Sequence, residues 1–355
     1  MSAGAIGNAF AAARRAGRAA CAALAVAITL AAGGGAAIAA ESAVILMYHR
    51  FGEDRYPSTN VTIAQFEAQI DHLVDGGYSV LPVPDILAAL GEGRPLPDRT
   101  VGITVDDATR STFEVAWPRL AEAGFPFSVF VSTDPVDEGH AGIMSWDELR
   151  RLVAAGVTIG NHSAAHRYMW QGDDDANRAD LLRARRRLAE ELGVDAALFA
   201  YPFGEWNAAL RALAAELGFT AAFGQHSGVV AAHSDMLTLP RFALNENYGA
   251  IDRFRLIVDT LPLGARSVTP DDPIMTENPP TVSFTIEPPL PRREALACYA
   301  SGGVAATLAH EEDGRVRIRF DRPFPPGRAR LNCTAPAEAG RWRWFGLQLV
   351  APRDS

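Results

Sequence analysis

A near-continuous apolar run, Ala43-Val44-Ile45-Leu46-Met47-Tyr48, is followed by residues 62–76, where Ile63, Phe66, Ile70, Leu73 and Val74 recur at helical spacing. An unbroken apolar run suits a strand covered on both faces, which is the environment of a parallel sheet. Thr62 with Gln65 three residues on forms a capping box, and Gly76-Gly77 ends the helix. The same alternation repeats. Short strand-like runs fall at 78–81, 101–105, 127–132, 157–160, 198–201 and 220–223. Helical stretches fall between them at 84–90, 112–123, 145–155 (Ser145 and Glu148 make a second capping box), 178–192 and 206–217. Repeated βα units predict a mainly parallel sheet or barrel over residues 41–263.

After Leu263 the pattern changes. Residues 264–280 are rich in Pro, Asp and Ser without periodicity and read as a linker. Residues 281–355 carry short strand-like runs at 282–286, 296–301, 304–310, 315–320, 328–334 and 342–350. The strict alternation Arg-Val-Arg-Ile-Arg-Phe at 315–320 puts Val316, Ile318 and Phe320 on one face. A small all-β, sandwich-like domain is expected there. Asp173-Asp174-Asp175 reads as a solvated loop.

Residues 1–40 read as an export signal. Arg14, Arg15 and Arg18 precede an apolar run from 19 to 32, and Ala37-Ile38-Ala39-Ala40 supplies small residues at a cleavage site. The competing reading is an uncleaved N-terminal anchor, the only route to a membrane that the sequence offers. Cys21 leaves with the signal. Cys298 and Cys333 remain, an even pair in an exported chain, which suggests a disulfide; two buried free thiols are the other reading. The formal charge is −9, all 33 cationic residues are arginine, and no basic stripe with interleaved aromatics appears, which argues against nucleic-acid binding.

Active sites on βα folds lie at the C-terminal ends of strands. Thr104-Val105-Asp106-Asp107 places two carboxylates at one strand end, so that one can bind a metal while the other stays free as a base. His162-Ser163-Ala164-Ala165-His166 follows the next strand but one. Histidines four apart on one face of a helical turn can ligate one ion. Two His and one carboxylate make a catalytic metal shell with open positions. Tyr201-Pro202-Phe203-Gly204 is a tight turn with backbone N–H groups suited to an oxyanion. Arg241, in Leu239-Pro240-Arg241-Phe242, can charge-balance Asp106.

The order TVDD, HSxxH, YPFG resembles the polysaccharide deacetylase family (carbohydrate esterase family 4), over residues 43–261. The resemblance implies a distorted (β/α) barrel. It implies Asp106 as catalytic base, and Asp107, His162 and His166 as ligands of a divalent metal, usually zinc, with cobalt or nickel as alternatives. It implies the Phe203 N–H as oxyanion donor. Met47-Tyr48-His49-Arg50 and Ser145-Trp146-Asp147-Glu148 resemble the exopolysaccharide-type branch. Three departures stand out. The usual DDG reads Asp106-Asp107-Ala108, and the arginine that often begins the YPFG motif is Ala200, a gap for Arg241 to fill. The late leucine-rich motif lacks its histidine, which makes His226 the leading general acid and His233 the second. His49, Tyr201, Trp206 and Tyr248 are expected to line the substrate groove. The implied activity is removal of N-acetyl groups from an N-acetylglucosamine polymer. The alternatives are an O-acetyl polysaccharide esterase and an inactive sugar-binding protein.

Overall fold

The computed structural model describes residues 39–352. The signal-or-anchor reading of residues 1–40 therefore lies outside the described residues, apart from Ala39–Ala40, which pair with Leu96–Pro97. No helix among the described residues is long and apolar enough to cross a membrane.

The first apolar run becomes the strand Ser42–Tyr48, which pairs in parallel with Thr100–Val105. From there the sheet runs outward through Ser128–Val131, Thr158–Asn161, Leu198–Ala200 and Ala221–Phe223, all parallel. Three strand steps separate Phe130 from Phe223, a distance of about 14 Å in a flat sheet. Their rings nevertheless lie 5.5 Å apart, so the sheet is curled. Residues 239–243 cross the remaining gap. Leu239 bridges to Phe223, and Phe242–Ala243 pairs with Leu46–Met47. Side chains alternate as a two-sided strand requires. Ala43 and Ile45 pack with Phe130, Ala200, Phe223 and Leu239, while Val44, Leu46 and Tyr48 join the cluster containing the outer helices' Phe66, Leu149 and Leu188.

Both capping boxes form, at Ile63–Asp75 and at Trp146–Ala154. Two expectations need correction. Asp173-Asp174-Asp175 is not a loop: the Asp173 side chain accepts from Ala176 N and starts the helix Asp174–Leu192 a turn early, with acids favoured in its first turn. Residues 264–280 are not a linker. Ala265–Thr269 is a strand paired with Val282–Ile286, Ile274 bridges to Val350, and Met275 is buried in the adjoining core. Ladder hydrogen bonds and the buried Met275 order this stretch, and neither leaves a periodic trace in a segment rich in Pro, Asp and Ser.

The C-terminal β region contains two four-stranded sheets. Val282, Phe284, Val316 and Ile318 of one meet Leu331, Cys333 and Leu349 of the other in a shared core. Cys298 and Cys333 sit directly opposite on paired strands and are disulfide-bonded. The outer face of Trp342–Ala351 lies against the α/β region, with Trp344 edge-on to Phe242 at 5.3 Å.

Candidate active site

The strand Thr100–Val105 is buried throughout, and Asp106, the next residue, is buried as well. A carboxylate out of water needs a partner. Arg241 supplies it in fork geometry, with Nη1 2.7 Å from Oδ1 and Nη2 2.8 Å from Oδ2. The guanidinium is itself fully buried. It donates to Thr104 Oγ1 and the Gly224 carbonyl, and its carbon lies 5.5 Å from the Phe130 and Phe223 ring centres. Burial opposes charge on Asp106, but Arg241, His162 and His49 together hold its carboxyl below the ordinary range. Asp106 is therefore an ionised carboxylate at neutral pH. Arg241 reaches it because residues 239–243 close the curled sheet, and Ala200 leaves the room.

Asp107 turns away from the strand direction with φ 72°, followed by Ala108 at φ 52° where glycine is usual. Non-glycine residues held in this region cost on the order of 1–3 kcal/mol each. Residues 162–166 are likewise not a helical turn. Ser163 and His166 have φ 64° and 49°, and side chains inside and outside this irregular loop pin it. Asp180 accepts from Ala164 N and Ala165 N, Asn161 Oδ1 from Ser163 N, and Ser163 Oγ from His166 N. Ser132 Oγ donates to His162 O. The loop thus brings His162 Nε2 and His166 Nε2 to 3.4 and 3.3 Å from Asp107 Oδ1.

The donor set fits a divalent cation. Ligand atoms of Asp107, His162 and His166 lie within 4.8 Å of one another, and one carboxylate with two imidazoles leaves coordination positions open. His162 Nδ1 lies 2.7 Å from Ala200 O. A carbonyl only accepts, so Nδ1 carries the proton and Nε2 is free to ligate; it is buried without a hydrogen-bond partner. Burial disfavours a charged His162, but Asp107 and Asp106 raise its pKa, so cation binding competes with a proton there. His166 is pushed down to about 4, by burial first and then by His162, which leaves it neutral and able to ligate.

Phe203 occupies the turn Pro202–Gly204 with φ 59°. Its ring stacks on Tyr168 at 3.9 Å and meets His166 edge-on at 4.5 Å. Gly204 N and Glu205 N donate to Tyr201 O and Pro202 O, while the Phe203 N–H donates to no protein group among the described residues. His49 Nε2 lies 3.9 Å from Asp106 Oδ2. Tyr168, an exposed aromatic two residues past His166, is the site residue that sequence reasoning missed; its position after a ligand histidine was the available signal.

Other expected site residues stand elsewhere. Tyr201 is fully buried among Phe199, Leu210 and Leu213, and its hydroxyl donates to Leu237 O, so it faces the core rather than a groove. Trp206 packs in the same cluster and edges a cavity of about 300 Å³ between the α/β and β regions. His226 and His233 line that cavity too. His226 makes no side-chain hydrogen bond to Asp106, Asp107, His162 or His166, and is pushed down to about 4 by burial, Arg241 and Arg330. Tyr248 is exposed, with Arg253 over its ring at 5.1 Å.

Residues 93–222 match the family model for polysaccharide deacetylase. Among similar proteins is the putative polysaccharide deacetylase YxkH of Bacillus subtilis (strain 168), 21% identical over 197 residues, 56% of this chain and 69% of that one. The poly-β-1,6-N-acetyl-D-glucosamine N-deacetylase of Staphylococcus aureus (strain MRSA252) is 22% identical over 232 residues, 58% of this chain and 80% of that one. The solved structure of the Streptococcus pyogenes deacetylase PplD in complex with acetate superposes with a TM-score of 0.57 at 22% identity, over 61% of this chain and 98% of that one. The family model spans both the aspartate pair and the histidine loop, so residues 93–222 are identified as a polysaccharide deacetylase domain.

Proposed function

We propose that this protein is an exported, metal-dependent hydrolase that removes N-acetyl groups from an N-acetylglucosamine-containing polysaccharide. The observation that carries the reading is the pairing of a cation-binding triad, Asp107, His162 and His166, with a buried, ionised and unligated carboxylate, Asp106. A divalent cation, zinc in this reading, supplies a Lewis acid to the acetyl carbonyl and to water. The chain does the rest. Asp106 takes the proton from attacking water, and its fork with Arg241 keeps it charged and fixed in direction. The Phe203 N–H faces the developing oxyanion. His49 is the imidazole beside Asp106 that is not in the triad, its Nε2 3.9 Å from Oδ2, and on that geometry we assign it, in preference to His226, delivery of a proton to the departing nitrogen. The stacked Tyr168–Phe203 pair offers an aromatic wall to a sugar ring. Export is supported by the arginine-led apolar start of the sequence and by the Cys298–Cys333 disulfide. On this reading the two C-terminal sheets form a small β-sandwich domain.

The test is acetate release from poly-N-acetylglucosamine, chitin and peptidoglycan fragments, beside O-acetylated polymers. Release from an N-acetylated polymer, abolished by a chelator and restored by zinc, is expected. His162→Ala should lose the cation in elemental analysis. Release from O-acetyl substrates alone would overturn the amide specificity.

A further inference from the structure

The carbonyls of the Phe203 turn are held from outside the α/β region. Phe203 O accepts from Arg328 Nη1 at 2.6 Å, and Gly204 O accepts from Gln348 Nε2 at 2.6 Å. Both donors belong to the C-terminal β region, on the adjacent strands Gly327–Pro336 and Trp342–Ala351. Arg328 lies opposite Val350 and Gln348 opposite Arg330, so the two side chains stand diagonally on one outer face. Arg328 Nη1 also donates to Gln225 Oε1 at 2.8 Å, and its Nε lies 3.5 Å from Glu205 Oε1. Glu205 is fixed at its other oxygen by Trp170 Nε1. Two consecutive peptide units are therefore pinned at both ends: their N–H groups by Tyr201 O and Pro202 O, their carbonyls by the β region. The close approach depends on Gly346, where a Cβ would collide with the Ser227 carbonyl.

A left-handed Phe203 holds its geometry only while its surroundings over-determine it. The turn's own hydrogen bonds fix its curl. They do not fix its tilt toward Asp107 and the histidines, and the Phe203 N–H direction follows the tilt. We propose that Arg328 and Gln348 are positioning residues, through which the C-terminal β region aims the oxyanion-facing Phe203 N–H. The proposal rests on the deacetylase reading for its catalytic consequence, but not for its structural one.

The experiment uses the full chain as Arg328→Ala, Gln348→Ala and the double variant, with Arg328→Lys as the conservative control. Hydrogen exchange over residues 201–206 should accelerate at least about tenfold in the double variant, with the histidine loop unchanged. Acetate release should lose kcat by about 10- to 100-fold, less than the roughly 100- to 1,000-fold for removing an oxyanion donor outright. KM and bound metal should stay as they are, and Arg328→Lys should recover most of the rate. Unchanged exchange at the turn overturns the proposal whatever the activity does, as does unchanged kcat in the double variant of an active enzyme. If the parent protein releases no acetate from any polymer, the deacetylase reading falls, and the exchange result alone decides the clamp. If the double variant does not fold, Arg328→Ala decides it, since that side chain is 27% exposed and tolerates truncation.

Discussion

The α/β and β regions differ in where they leave polar groups unmet and backbone strained. Of the eight non-glycine residues with left-handed φ among the described residues, Asp107, Ala108, Ser163, His166 and Phe203 cluster at the candidate site, whereas the β region holds only Ser267 and Ala339. Among buried side-chain atoms of the described residues that lack a hydrogen-bond partner, Gln348 Oε1 alone belongs to the β region. Backbone strain gathers at the candidate site, and the stapled β sheets supply rigidity beside it.

Breaking the strained side should have the largest effect. Asp106→Asn should lower acetate release by about three orders of magnitude or more while leaving bound metal intact, because it removes the proton acceptor and no ligand. Loss of metal from this variant would show that the two aspartates have exchanged roles. Arg241→Ala comes next. It strands a buried carboxylate, an effect of about 3–5 kcal/mol on stability, which thermal or denaturant unfolding would read directly. Its activity should fall by roughly a hundredfold as Asp106 loses orientation. A variant as stable as the parent would mean that water reaches Asp106.

The stapled side should fail more gently. Cys298→Ser with Cys333→Ser opens a link spanning 35 positions, with an expected cost of about 2–4 kcal/mol. Unfolding followed by near-ultraviolet signals from the β region should shift first. An unchanged midpoint would remove the disulfide from the comparison. The smallest effect concerns His226, whose folded pKa of about 4 lies below the ordinary 6.5. The folded state favours its neutral form, so the unfolded chain binds more protons between those values, and stability falls as pH drops through that window. Replacement by Gln should flatten this slope. An identical pH dependence in the variant would show that His226 is not what the acid limb reports.

Much of this was legible because the signals are local. A capping box lies within three residues, a buried parallel strand shows as an apolar run, and the aspartate pair and the histidine loop each end such a run. The Arg241 partnership was also readable, from the resemblance, because Ala200 stands where an arginine often begins the YPFG motif. What escaped depends on distant contacts. The histidine spacing suggested a helical turn, but Asp180 stabilises a left-handed loop instead. The strand Ala265–Thr269 is invisible without its partner Val282–Ile286. The tyrosine of the YPFG motif, expected at the substrate, is core, because a strand's alternation decides its face and sequence alone does not fix the phase at a strand end. Arg328 reaches Phe203 across 125 positions, and no local pattern encodes that.

The closure of the curled sheet by residues 239–243 also sets an order of events. A chain delivered N-terminus first presents Asp106 long before Arg241 emerges, and until that arginine arrives the pocket cannot shelter a negative charge. Asp106 thus gains its ion-pair partner from nearly the last piece of the α/β region to be threaded, and the Phe203 turn is braced only later, when residues 328 and 348 follow. On the proposed reading, a chain ending before Arg241 would carry the whole metal triad yet release no acetate.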